Sequence, residues 1–269
     1  MSEVYDEVYY ANRLFLDAVL PVLKTVVEGR ESLVKAWAGK NGVCQISCLT
    51  DTQEGRDGTH FLIEDGILSV KRGVCGEKPD VELVFRSRAH LNAFFKGKSF
   101  PLPAMKGVFS GGGLFIPFMK SLLGMAGLLA AKEPPKAESD GRLLVKCMFY
   151  LLSTGISTLN KLGHPQVHPW ASASPDRVYA WGVGDDEELA SYIRIKAGKS
   201  KASRGVYRRS MPFFTMRFDS VPSALGILLS IDDMIESTVS GKLMMEGGPE
   251  YGAQLGDHML LVGSMIQGG

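Results

Sequence analysis

Residues 59–74 read THFLIEDGILSVKRGV, and residues 191–206 read SYIRIKAGKSKASRGV. In the first stretch, strand-forming residues flank Asp65-Gly66, a pair that tolerates positive φ and so signals a hairpin. The second stretch carries Ile195 and Gly198 where the first has Ile63 and Gly66. Both end on Arg-Gly-Val, residues 72–74 and 204–206, an offset of 204 − 72 = 132. Further out, Phe85 matches Phe218 at offset 133, and Gly107 and Gly113 match Gly241 and Gly247 at offset 134. A slow drift of this kind is what loop insertions add to a duplicated unit, so the chain reads as one unit written twice.

The bulk properties agree with two ordinary globular units. At 269 residues, 45% hydrophobic and 22% charged, each half is long enough to bury a core without metal or disulfide support. A net charge of +1, with Lys and Arg spread along both halves, argues against a nucleic-acid partner. Two basic runs, residues 196–201 (KAGKSK) and 204–209 (RGVYRR), read as solvated strand edges, with steering toward an anionic membrane surface as the alternative. Cys44, Cys48, Cys75 and Cys147 show no CxxC and no zinc spacing, and read as buried thiols of a reducing compartment. The acidic opening MSEVYDEVYY has no secretory pattern, which points to the cytoplasm.

Outward from the hairpins, residues 4–37 read as helix, with Pro21 as a kink and Gly29 as a break. Strands follow at 43–50, 59–64, 67–71, 81–85 and 104–110, with a turn cluster at 52–58 and a short helix at 89–96. Residues 114–131 (LFIPFMKSLLGMAGLLAA) touch the length of a membrane span, but Pro117, Lys120 and two glycines favour a buried or cavity-lining helix. The polar, proline-bearing stretch 132–142 reads as a linker. Beyond it come a helix at 143–162, a loop at 163–175 and strands at 177–183, 191–196, 199–207 and 213–218. Short helices at 222–229 and 232–236, a strand at 238–246 and a helix at 249–266 complete the chain. The predicted fold is α+β, two units each with a curved antiparallel or mixed sheet of about five strands covered by helices. The boundaries are 1–131, a linker at 132–142, and 143–269.

The order and wording of these pieces resemble the sterol carrier protein family of lipid-binding domains. The second half carries FFTMRF at 213–218, a short helix at 220–229, a small helix at 231–237, and Ser240-Gly241-Lys242-Leu243 followed by Gly247-Gly248. The first half carries the opening: Gly39-Lys40-Asn41-Gly42-Val43, the Asp65-Gly66 hairpin, PDVELVF at 79–85, and Lys106-Gly107. It departs from the family at 114–131 and at Pro101 and Pro103. The resemblance implies a tandem, non-enzymatic protein with no cofactor. An acyl chain, sterol-like molecule or other lipid would lie in an apolar tunnel between sheet and closing helix. Twelve methionines suit such a lining, although Met at helical spacing is ordinarily core. The expected walls are Leu225, Leu228, Leu229, Met234, Ile235, Leu243, Met245, Leu255, Met259 and Leu260 in the second half. Phe94, Phe95, Phe115, Ile116, Met119 and Leu122 are their counterparts in the first.

Catalytic patterns are missing from the sequence. It contains no G-x-S-x-G, H-E-x-x-H, Walker A or dinucleotide fingerprint. His164 and His168 stand four apart, but Pro165 and Pro169 argue against the helix that would aim both at a metal. Asp185 to Glu188 read as a solvated loop, and Cys147 lies in an apolar helix where a thiolate is disfavoured. The competing expectation is an accessory module packing its apolar helices on a homodimer mate or an enzyme partner, and transient membrane contact is a third.

Overall fold

A computed structural model describes residues 7–50, 55–98 and 101–267. Residues 4–6 of the first expected helix, residues 52–54 of the turn cluster and the acidic opening residues 1–6 lie outside them. Residues 7–126 with 264–267 form one compact unit, and residues 127–263 form another. The protein is α+β, and each unit is built on a five-stranded mixed sheet.

In the first unit, the helical stretch expected at 4–37 is divided into α1 (Glu7–Leu14), α2 (Val22–Glu28) and α3 (Glu31–Trp37). The divisions fall at residues 15–21 and 29–30, at the expected kink of Pro21 and break of Gly29. A π-helical turn at Phe15–Val19 separates α1 from α2, with Leu20 N–H donating to Phe15 O at 2.9 Å. Pro21, which has no N–H to continue an α-helical ladder, follows it directly. The strands are β1 (Gly42–Leu49), β2 (Arg56–Glu64), β3 (Ile67–Arg72), β4 (Val81–Phe85) and β5 (Ala104–Lys106). Their order is β3-β2-β1-β4-β5, parallel only between β1 and β4. Between β4 and β5 lies α4 (Arg88–Phe95), and α5 (Phe115–Leu129) follows β5.

In the second unit, α6 (Glu138–Lys161) and α7 (Val167–Ala173) precede β6 (Arg177–Val183), β7 (Asp186–Lys196), β8 (Lys199–Arg204) and β9 (Phe214–Phe218). Then come α8 (Val221–Leu228), α9 (Met234–Val239), β10 (Leu243–Glu246) and α10 (Pro249–Ile266). The order β10-β9-β6-β7-β8, parallel only between β6 and β9, matches that of the first sheet.

The match extends to register. Cys44 pairs with Phe61 and Val81, while Tyr179 pairs with Ile193 and Phe214. Both hairpins turn on two positive-φ residues, Asp65-Gly66 and Ala197-Gly198. Gly73 N–H donates to Gly58 O and Gly205 N–H to Ala190 O, each at 2.8 Å. Ser87 and Ser220 accept the N-terminal N–H bonds of α4 and α8.

Several sequence expectations need correcting. Lys106 pairs with Glu82 and Glu246 with Thr215, so Gly107 corresponds to Gly247, at an offset of 246 − 106 = 140. Gly241 and Gly113 are therefore not the partners the spacing suggested. The extra residues are those of α9, which takes up residues expected to start the last strand. Asp233 sets its start, because its Oδ1 accepts N–H bonds from Ile235 and Glu236 at 2.8 and 3.0 Å. The expected loop at 163–175 holds α7, where Pro169 is tolerated because it falls in the first turn, whose N–H groups lack helical partners anyway. Helix α6 begins inside the expected linker, with Glu138 and Asp140 favourably placed in its first turn.

Among the described residues, α6 alone is long and apolar enough to cross a membrane, and 83% of its apolar window is buried in the protein. The greasy stretch at 114–131 makes a helix of 15 residues. Both sheets bury one face under helices. In the first unit Phe61 meets Phe118 of α5, and in the second Phe149 of α6 stacks on Phe218.

Candidate functional site

Leu122, Leu225, Leu228, Leu243, Leu255 and Met259, all expected wall residues, are buried core. Phe94, Phe95, Phe115, Met119, Leu229, Met234 and Met245 are half-buried. Ile116, Ile235 and Leu260 face outward instead, 64%, 75% and 67% exposed. Phe94 and Phe95 pack their rings on Phe85, and Phe95 also on Phe15, so they close the core of the first unit.

Around α10 the second unit gathers three methionines. Gly252 and Gly256, four apart and so on one helix face, leave two notches. A Cβ at Gly252 would lie 2.5 Å from Met245 Sδ, and one at Gly256 would lie 3.3 Å from Met234 Cε. Met259 Sδ accepts the Trp181 Nε1 hydrogen bond at 3.2 Å. Met245 and Phe214 thus both lie against α10 at Gly252, and α10 meets Trp181 through its own Met259; thioethers are the side chains best able to repack around an irregular apolar shape. Ile235 and Val239, four apart on α9, are 75% and 85% exposed, and Ile231, which precedes that helix, is 52% exposed.

The opposite face of the same sheet holds two clefts, neither containing an expected wall residue. One, of about 340 Å³, lies beside Ala180, Gly182, Thr215 and Arg217. Register explains why it is open there and filled in the first unit. Gln45 pairs with Glu82 where Ala180 pairs with Thr215, and Ser47 pairs with Val84 where Gly182 pairs with Arg217. In the first unit, Glu82 Oε1 accepts from Gln45 Nε2 at 2.6 Å, Ser47 Oγ at 2.9 Å and Arg56 Nη2 at 2.6 Å. Lys106 Nζ stands 3.3 Å from Oε2. Burial pushes the Glu82 carboxyl up, but these donors and cations outweigh it and hold the group below its ordinary value. The other cleft, of about 480 Å³, runs along β7 and β8 between Tyr192, Tyr207 and several cations.

His164 and His258 are buried, whereas His168 is exposed. His168 Nδ1 lies 3.1 Å from Asn160 Oδ1, and His258 packs against Trp170 with ring centroids 4.7 Å apart. Among the described residues no three His, Cys, Asp or Glu side chains gather as metal ligands. Burial, then Asp80, pushes the Cys44 thiol far up, and burial pushes Cys48 up to about 11. Cys44, Cys48 and Cys147 are buried, whereas Cys75 is half-exposed, contrary to the expectation of four buried thiols. The acidic residues 186–188 are paired rather than merely solvated: Asp186 with Arg142, Glu187 with Arg208 and Glu188 with Lys146.

No protein-family model and no curated protein matches the chain. Among solved structures, a conserved hypothetical protein of Thermus thermophilus, described as possibly a sterol carrier protein, is 16% identical, with a TM-score of 0.29. That similarity covers 44% of this chain and 87% of the other. A stereoselective inverting sec-alkylsulfatase of a Pseudomonas species is 17% identical, with a TM-score of 0.31, over 60% of this chain and 22% of the other. Both are weak structural likenesses.

Proposed function

We propose that the protein is a non-catalytic binder of an apolar small molecule, such as an acyl chain or a sterol-like lipid, and that the second unit holds it. One observation carries the reading: Met234 and Met245 fill the Gly256 and Gly252 notches of α10, Met259 reaches from α10 to Trp181, and Ile235 and Val239 of α9 face outward. An apolar guest entering past Ile235 and Val239 would displace thioethers from the Gly252 and Gly256 notches rather than break hydrogen bonds. Its affinity would come from burial, at about 0.8 kcal/mol per methylene, so few polar contacts are required. The free cysteines suit a reducing compartment such as the cytoplasm.

The test is to purify the chain, denature it and identify extracted lipid by mass spectrometry, then titrate the stripped protein with a fluorescent fatty acid. Stoichiometric lipid, and probe binding weakened by Ile235→Asp with Val239→Asp, supports the carrier. Protein that is empty and takes up no probe overturns it. A second reading, an accessory module for a protein partner or a second copy, is favoured by Ile116 and Leu123. They lie seven apart on α5 and are 64% and 68% exposed. Dimerisation, or partner capture, abolished by Leu123→Asp in lipid-free protein would support that reading.

A further inference from the structure

The larger outer cleft of the second unit, of about 480 Å³, sets Arg194, Lys196, Lys199, Lys201 and Arg209 beside Tyr192 and Tyr207. Register makes this arrangement electrostatically unfavourable on its own. Lys196 pairs directly with Lys199 and Arg194 with Lys201, and like charges facing each other across a ladder are destabilising. The fold does not demand these residues. At the same register positions the first unit pairs Glu64 with Ile67 and Leu62 with Ser69.

Compensation from within the protein is partial. Asp176 accepts two bonds from Arg194, at 3.1 and 2.7 Å, and lies 4.0 Å from Lys196. Lys199, Lys201 and Arg209 make no ion pair among the described residues. Tyr207 folds over the cleft from the segment joining β8 to β9 and packs on Tyr192, with ring centroids 5.1 Å apart. The cleft therefore combines uncompensated cations with phenols able to hydrogen-bond an anion.

We propose that this cleft binds a multiply charged phosphate ester, whether the headgroup of an anionic lipid or a free phosphorylated small molecule. Phosphoryl oxygens would satisfy the ammonium groups as point charges and the exposed guanidinium of Arg209 through its flat fork. They would also relieve the repulsion across the β7–β8 ladder. This site lies on the sheet face away from α10 and is independent of the apolar-ligand reading.

Calorimetry on the full chain at physiological salt, with inorganic pyrophosphate and inositol trisphosphate as probes, tests it. Co-sedimentation with phosphatidylcholine vesicles, with and without a phosphatidylinositol phosphate, separates the two sources. Binding that weakens about tenfold or more in Lys199→Glu with Lys201→Glu, but not in Lys71→Glu on the first unit, supports the site. Preference for the doped vesicles assigns a headgroup, and binding of the soluble probes alone assigns a free phosphate ester. Arg209→Ala with Lys199→Gln serves if charge reversal disturbs folding. Absence of binding to every phosphate probe, binding indifferent to these substitutions, or binding of an RNA oligonucleotide alone overturns the proposal.

Discussion

Gly107 presses its backbone against Asp80: a Cβ on Gly107 would fall well inside contact distance of the Asp80 carbonyl oxygen, and its φ is +76°. Gly247 occupies the corresponding place in the second unit, where a Cβ would lie 3.0 Å from the Phe213 carbonyl oxygen. Gly107→Ala therefore combines backbone strain with overpacking and should cost about 3 kcal/mol or more. Gly247, at φ +125°, is strained by a side chain as well, but Gly247→Ala should cost less because the overlap it creates is much smaller. Urea denaturation of both variants checks the ranking, and equal losses would contradict it.

Glu82→Gln removes the charge on which Gln45, Ser47, Arg56 and Lys106 converge. Because Arg56 and Lys106 keep partial access to water, the loss at neutral pH should be about 2 kcal/mol rather than the cost of a fully buried pair. The folded carboxyl lies below its ordinary value of 4.5. Its contribution is therefore present above that value and is lost as pH falls through the lower, folded one. Stability measured against pH should decline less steeply below about pH 4.5 in the variant than in the parent.

Both hairpins were legible because Asp65-Gly66 and the repeated Arg-Gly-Val fix turns through backbone chemistry, which a sequence states directly. The equivalence of Gly107 and Gly247 was hidden, because α9 lengthens the second unit and only strand pairing reveals the shifted offset. The expected wall residues share only their apolar character, which Leu255 in the core and Leu260 at the surface have equally. Which of the two a residue becomes depends on helix phase against a sheet not yet placed. The cleft cations were visible as KAGKSK and RGVYRR, but their opposition across the ladder is a fact of register.

His258 is buried against Trp170, and among the described residues its Nε2 has no hydrogen-bond partner. Burial lowers its pKa below the ordinary 6.5, against a smaller upward pull from Asp257. The fold therefore favours the neutral ring, and this contribution is present above pH 6.5 and lost as pH falls through the folded value. His258→Leu should lessen the loss of thermal stability between neutral and mildly acidic pH, at little cost at neutral pH. An unchanged pH profile by scanning calorimetry would assign the sensitivity elsewhere.

Thiol reactivity should separate Cys75 from its three companions. Cys75 is half-exposed in the segment between β3 and β4, its backbone N–H bound to Gln45 Oε1 at 2.6 Å. Cys44 faces the helices from β1 and has its ionisation suppressed by burial, and Cys48 is raised to about 11 by the same cause. Since the thiolate is the attacking species, a disulfide reagent at neutral pH should modify one cysteine quickly and the others slowly, through transient opening of the fold. Cys75→Ala should abolish the fast phase and leave the slow one intact. Urea should accelerate the slow phase in proportion to the opened population, and a fast phase surviving in Cys75→Ala would show that another thiol is open to solvent.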